Sequence, residues 1–165
     1  MKGNSVWTFG IIRWLALVPV LLVISFAANA WEYSEEADKM RGVVRKYAST
    51  ESKDTIPFGG FAQLRVSLGV RKTGNSQSDA YLHIGTAFGA FGCISRCRVN
   101  IKFDGGPITE IEVTTSDTLR TMFIASPDDF IDKLKHAKKL IVETAFVSSG
   151  TYQLEFDVSG LQWPQ

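Results

Sequence analysis

The run Gly92-Cys93-Ile94-Ser95-Arg96-Cys97-Arg98-Val99-Asn100-Ile101-Lys102-Phe103-Asp104-Gly105-Gly106 restricts the folds open to this chain more than any other stretch. It contains both cysteines of the protein, four residues apart. Beyond them Val99, Ile101 and Phe103 alternate with Arg98, Asn100 and Lys102, the period of a half-buried strand. In a straight strand the two cysteine Cα atoms would lie roughly 13 Å apart. A disulfide requires about 7 Å or less. A bridge between Cys93 and Cys97 therefore demands a chain reversal at Ile94-Ser95-Arg96, at the neck of a short hairpin. Asp104-Gly105-Gly106-Pro107 ends the strand with turn chemistry.

The compartment is read from the N-terminus. Lys2 and Arg13 precede an uncharged apolar run from Trp14 to Phe26, broken only by Pro19, and Ala28-Asn29-Ala30 supplies the small–x–small pattern of a signal-peptidase site. The run is shorter than the ~20 residues of a spanning helix. Residues 1–30 are accordingly expected to be a cleaved signal peptide, and 31–165 a single β-rich domain in the periplasm or secreted, with no membrane insertion after cleavage. Oxidising conditions there suit a structural disulfide. Removing residues 1–30 takes away Lys2 and Arg13 but no acidic side chain, so 18 basic and 17 acidic groups become 16 and 17. That near-neutral balance gives no electrostatic attraction to nucleic acid or an anionic membrane.

Strands are expected over residues 61–71, where Leu64, Val66, Leu68 and Val70 alternate with polar residues, and over 81–84, 97–103, 108–115, 121–125, 140–147 and 151–158. Residues 50–60 read as a loop. Residues 35–48 support two readings: Ala37, Met40, Val44 and Tyr47 fall at helical spacing behind Ser34, whereas Gly42 and Val43-Val44 favour extended chain. The glycines of Phe88-Gly89-Ala90-Phe91-Gly92 mark bulges or close backbone approach. Ser126-Pro127-Asp128-Asp129 opens the clearest helix, with Ser126 as N-cap, Pro127 at the first helical position, and Phe130, Ile131, Leu134 and Ala137 on one face. Many strands with one late helix predict a mainly β fold: an antiparallel β-sandwich-like domain with one α-helix packed on it in the C-terminal half.

Candidate chemistry is sparse. Three residues separate the cysteines, where a thioredoxin-like motif has two, and a strand rather than a helix follows. With His83 and His136 as the only histidines, a four-ligand zinc site is not in evidence. No metal site, cofactor or catalytic residue is assigned. His83 and His136 are placed toward solvent by strand alternation and helical phase. Asp104 and Asp157 read as turn residues that cap backbone amides. Trp31, Tyr33, Phe58, Phe61, Phe88 and Phe91 read as core packing, with a ligand groove as the alternative.

One resemblance joins these elements. The order from Leu64-Arg65 through Phe103-Asp104-Gly105-Gly106 and the helix Phe130-Ile131-Asp132-Lys133-Leu134-Lys135-His136-Ala137-Lys138 to the closing Phe156-Asp157-Val158-Ser159-Gly160-Leu161 resembles a group of small exported bacterial proteins. Some of these are accessory proteins encoded with type VI secretion systems. The resemblance spans roughly residues 61–161 and implies an exported β-rich fold without carrying over a catalytic residue. The favoured expectation is a non-catalytic exported protein that binds another protein at the cell envelope, with Ile94 and Arg96 at the cysteine turn as candidate contact residues. The alternatives are a small envelope hydrolase using Asp104 with His83, and a periplasmic inhibitor of a foreign hydrolase. The sequence sets no oligomeric state.

Overall fold

Alternating burial along most of the eleven strands among the described residues builds the core. A computed structural model describes residues 30–164; the expected signal peptide lies outside them, save for Ala30. The strands are β1 (Glu32–Asp38), β2 (Val43–Glu51), β3 (Ile56–Phe58), β4 (Ala62–Leu64), β5 (Val66–Thr73), β6 (Asp79–Ile84), β7 (Arg96–Phe103), β8 (Thr109–Thr115), β9 (Thr121–Ile124), β10 (Lys139–Phe146) and β11 (Gly150–Asp157). Among the described residues one helix, α1 (Pro127–His136), lies between β9 and β10. Nine strands form one antiparallel sheet in the order β1-β2-β5-β6-β9-β8-β7-β10-β11, and β3 with β4 forms a separate small hairpin. The expected mainly β, antiparallel fold is the one observed. Its facing layers come from one sheet curled over on itself.

The curl brings β11 back to the end of β2. Ser52 bridges Phe156 across the seam, and the Lys53 amide donates to the Glu155 carbonyl at 2.8 Å. The inner face carries the alternating residues Val66, Leu68 and Val70, then Ala80, Leu82 and Ile84, then Leu140 and Val142, with Leu154 and Phe156, all at most 1% exposed. Strand period and burial agree, because only every second residue of a strand reaches the core.

Helix α1 covers one end of the curled sheet. Its Phe130, Ile131 and Leu134 are buried, and Phe130 lies 5.6 Å from the ring of Phe103. Ser126 occupies the N-cap position without a side-chain capping bond, while Pro127 and the acidic Asp128 and Asp129 fill the first turn. The C-terminal segment ties down beside it: Trp163 Nε1 donates to Ser78 Oγ at 3.0 Å, and Trp31 Nε1 donates to the Val158 carbonyl at 3.1 Å. No helix among the described residues is long and apolar enough to cross a membrane.

The structure settles one open sequence reading and revises two others. Residues 35–48 take the extended alternative, as two strands of the β1–β2 hairpin turned at Gly42, whose amide donates to Asp38 O at 2.8 Å. The run 61–71 breaks at Arg65, so β4 leaves for the small hairpin while β5 joins the main sheet. Alternation continues through the break, with Leu64 and Val66 both fully buried, which is why the pattern conceals it. The presumed loop 50–60 holds the end of β2 and all of β3.

Leu134 is fully buried, whereas Lys135 beside it is not. Leu134→Ala should therefore cost roughly 2–5 kcal/mol through the cavity it leaves. Lys135→Ala should change stability by less than about 0.5 kcal/mol. Chemical denaturation of the two variants checks the facing of the helix.

Candidate functional site

The end of the sheet opposite α1 is built from the turn that precedes β7. Cys93 and Cys97 are disulfide-bonded with their Cα atoms 6.1 Å apart, so the chain reverses between them as expected. The reversal is tighter than a hairpin, because Gly92 to Ser95 belong to no strand and β7 begins at Arg96. Ser95 adopts a left-handed φ of 71°, and the Arg96 amide donates back to Ile94 O at 3.1 Å. A side chain in that region is disfavoured by roughly 1–2 kcal/mol. Thr115 at the end of β8 offsets the cost. Its Oγ1 accepts from the Ser95 amide at 3.1 Å and donates to Cys93 O at 3.3 Å, and its own amide donates to Ser95 O at 2.9 Å.

This arrangement presents Ile94 at 83% exposure. Arg96 is also exposed, and its Nε lies 3.0 Å from Glu112 Oε1 on the neighbouring strand. The guanidinium is thus held by an ion pair as well as by the nearby bridge. Such an exposed pair contributes at most about 1 kcal/mol, so it orients Arg96 without withdrawing it from a partner.

The same end carries an aromatic group that the sequence reading assigned to the core. Phe58 stacks on Phe88 with ring centroids 5.8 Å apart, and Phe61 leans on Phe88 at 6.4 Å. Phe61 is 80% exposed and Phe88 43%. Phe58 and Phe61 flank Gly59-Gly60 at the tip of the β3–β4 hairpin, and Gly59 has a φ of +59°. An added Cβ there would lie 2.6 Å from the Phe61 ring, so glycine is required for the ring to fold back. A glycine pair between two phenylalanines in a short hairpin was the available signal. Of the other aromatics, Trp31 and Phe91 are buried, while Tyr33 is partly exposed and its hydroxyl accepts from the Gln162 amide.

Backbone bonds place the two features together at this end. Phe91 bridges Phe146, the Gly92 amide donates to Ala145 O at 2.7 Å, and the Val147 amide donates to Ala90 O at 2.9 Å. Gly92 fulfils the expectation of close backbone approach: a Cβ would meet Ala145 Cβ at 3.0 Å. Ser149 Oγ then donates to Pro57 O, which ties the β3–β4 hairpin to the same strand end.

The ionisable candidates do not come together. His83 faces Thr121 across β6 and β9, its Nδ1 3.0 Å from Thr121 Oγ1. Met122 pairs with Thr115, and Thr115 with Ser95, so His83 stands level with the start of β7. Asp104 follows the far end of that strand, roughly 25 Å away at about 3.3 Å per residue. Its Oδ1 accepts from the Lys138 and Lys139 amides at 3.0 and 2.9 Å, fastening the entry to β10. The Asp104–His83 pair required by the hydrolase alternative is not formed. Asp157 accepts from the Ser159 amide and hydroxyl, and these bonds hold its carboxyl below the ordinary range. His136 is exposed at the end of α1, its Nδ1 2.8 Å from Asp132 O. Among the described residues no group of three His, Cys, Asp or Glu side chains is placed to hold a metal ion. No family model matches the chain, nor does any curated protein or solved structure.

Two measurements test this geometry. Replacing Cys93 and Cys97 together by Ala should lower stability by about 2 kcal/mol, the chain-entropy value for so short a loop, with the fold retained by circular dichroism. Burial, aided by Arg120, lowers the pKa of His83 from its ordinary 6.5. The folded chain thus takes up that proton less readily than the unfolded chain. This contribution to stability is complete above about pH 6.5 and declines as pH falls toward the folded value. His83→Gln should flatten the decline in denaturation midpoint on acidification below pH 6.5, and histidine NMR titration reads the shift directly.

Proposed function

We propose that this chain is a non-catalytic exported protein that binds another protein of the cell envelope through the end formed by the cysteine turn and the aromatic hairpin. The observation that carries the reading is the exposed apolar surface at that end: Ile94, Phe61 and Phe88 stand out from elements whose backbones are fixed. Exposed large apolar side chains are unremarkable when scattered. Here Phe58 and Phe61, on either side of a glycine turn, both pack on Phe88, and the backbone at Ile94 is held by a disulfide and the Thr115 bonds. Fixed side chains lose little conformational entropy on binding, which favours affinity. Arg96 adds a charged anchor of the type enriched among residues that dominate interfaces.

Export rests on the N-terminal pattern and is compatible with the disulfide. A role as an accessory factor of a secretion machine is the finer form of the proposal and rests on the closing motif alone. That motif has a structural explanation in this chain. Phe156, Val158 and Leu161 are buried, and Asp157 organises the turn at Ser159. The motif therefore supports a common way of closing the fold more directly than a common partner.

Phe61→Ser with Ile94→Ser should leave the thermal unfolding midpoint within a few degrees of the parent, because both side chains are largely in water. The same protein should lose complementation of a deletion strain and lose the partner that crosslinks to the parent in envelope preparations. Folded His83→Ala should keep both activities. Loss of complementation by His83→Ala with crosslinking intact would favour turnover over binding.

A further inference from the structure

Among the described residues, β1 is an edge strand with no strand on its outer side. The opposite edge strand, β11, is engaged at its C-terminal part by Lys53 and Asp54, and the turn before it by Pro57. The Lys53 amide donates to Glu155 O, the Glu155 amide donates to Asp54 Oδ2 at 2.7 Å, and Ser149 Oγ donates to Pro57 O at 3.0 Å. Strand β1 pairs on one side with β2 through all seven residues, Glu32 to Asp38, and has no strand on its other side. Its side chains from Glu32 to Ala37 are all exposed. An edge of this length offers a row of main-chain donors and acceptors to another extended chain.

We propose that the outer edge of β1 docks an extended segment of a partner protein carrying Lys or Arg at alternate positions. The side chains of β1 select that chemistry. Glu32, Ser34, Glu36 and Asp38 share one face by strand alternation, and Tyr33, Glu35 and Ala37 the other. The strand has four carboxylates and no basic residue. Its bases come from β2 and the turn between: Lys46 reaches Glu35 at 3.2 Å, Arg45 reaches Asp38 at 2.8 Å and Glu36 at 3.6 Å, and Arg41 in the turn reaches Asp38 at 2.9 Å, which leaves Glu32 with no ion pair of its own. A basic strand arriving from the open side would complete a cross-strand order of basic, acidic, basic. Opposite charges facing each other across strands are stabilising, and like charges are destabilising.

The same rule excludes a second copy of β1 as the occupant. Antiparallel self-pairing centred on Glu35 sets Glu35 against itself and Glu32 against Asp38. Centring it on Glu36 sets Glu36 against itself, and centring it on Ser34 sets Glu32 against Glu36. Every central register places carboxylate on carboxylate. This edge is separate from the aromatic end, so the proposal stands or falls independently of the one above.

The test uses the chain from Trp31 onward, with a short synthetic peptide alternating Lys with Thr as probe. Adding it should slow amide hydrogen exchange over Glu32 to Asp38, and higher salt should weaken the binding. The Glu–Thr counterpart and the Lys–Thr peptide N-methylated at alternate residues should each bind at least about tenfold more weakly, one for lack of charge and one for lack of main-chain donors. Glu32→Lys with Ser34→Lys changes two exposed side chains that make no hydrogen bond or ion pair among the described residues. It should reduce Lys–Thr binding by a similar factor while leaving the unfolding midpoint unchanged. Absence of protection at β1, protection elsewhere, equal binding of the N-methylated peptide, or protection of β1 that grows with protein concentration without peptide would each overturn the proposal. The last of these would assign the edge to a second copy.

Discussion

Closure of the sheet at Ser52 is the constraint on which the other elements depend. Ser52 donates its amide to Val66 O at 2.8 Å, accepts from the Val66 amide through Oγ, and bridges Phe156 of β11. One buried residue thereby joins the last part of β2 to the start of β5 and to the final strand. A sheet of this many strands must curl to bury its apolar face. The seam fixes how far the curl proceeds. Thr50 Oγ1 donating to Asp157 O and Lys53 donating to Glu155 O extend it on either side. Without the seam, the inner faces of β2, β5 and β11 would have no common core to share.

Closure leaves two ends and one edge. One end is filled by α1, which inserts Phe130, Ile131 and Leu134, and by the C-terminal segment anchored through Trp163. The other is covered by residues 85–95 and the β3–β4 hairpin, whose backbones are tied to the end of β10. The two coverings differ in what they expose. The helix turns a charged face to water, whereas the opposite end displays Phe61, Phe88 and Ile94. A domain of this size has enough apolar residues to bury, so an aromatic cluster left outside the core is the feature most in need of a role. On the reading proposed above, contact with another protein supplies one.

The ionisable groups with shifted pKa values are scattered rather than paired. His83 is pushed down by burial and Arg120, while Asp157 and Glu143 are pushed down by donated hydrogen bonds. Each shift has a local structural cause. General acid–base catalysis benefits from paired groups whose environments drive their pKa values apart within reach of one substrate. His83 and Asp104 lie at opposite ends of β7, and Asp104 is occupied by two backbone amides.

By itself the sequence determined what depends on neighbours along the chain. Strand alternation identified the buried residues Val66, Leu68, Val70, Val99 and Ile101, because a two-residue period needs no knowledge of the partner strand. Ser126-Pro127 located the helix start for the same local reason, and the five-residue reach of the bridge required a reversal at Ile94-Ser95-Arg96. Tertiary structure decided what depends on distant partners. Residues 35–48 were ambiguous because their helical and extended spacings are equally consistent, until pairing of Tyr47 with Arg71 fixed β2 beside β5. The break at Arg65 was hidden because Leu64 and Val66 are buried on both sides of it. Phe58, Phe61 and Phe88 read as core because aromatic residues usually are; only Phe58 packs against it, and Phe61 and Phe88 are exposed. Their exposure follows from where the small hairpin attaches to β10, a contact between residues 92 positions apart in the chain.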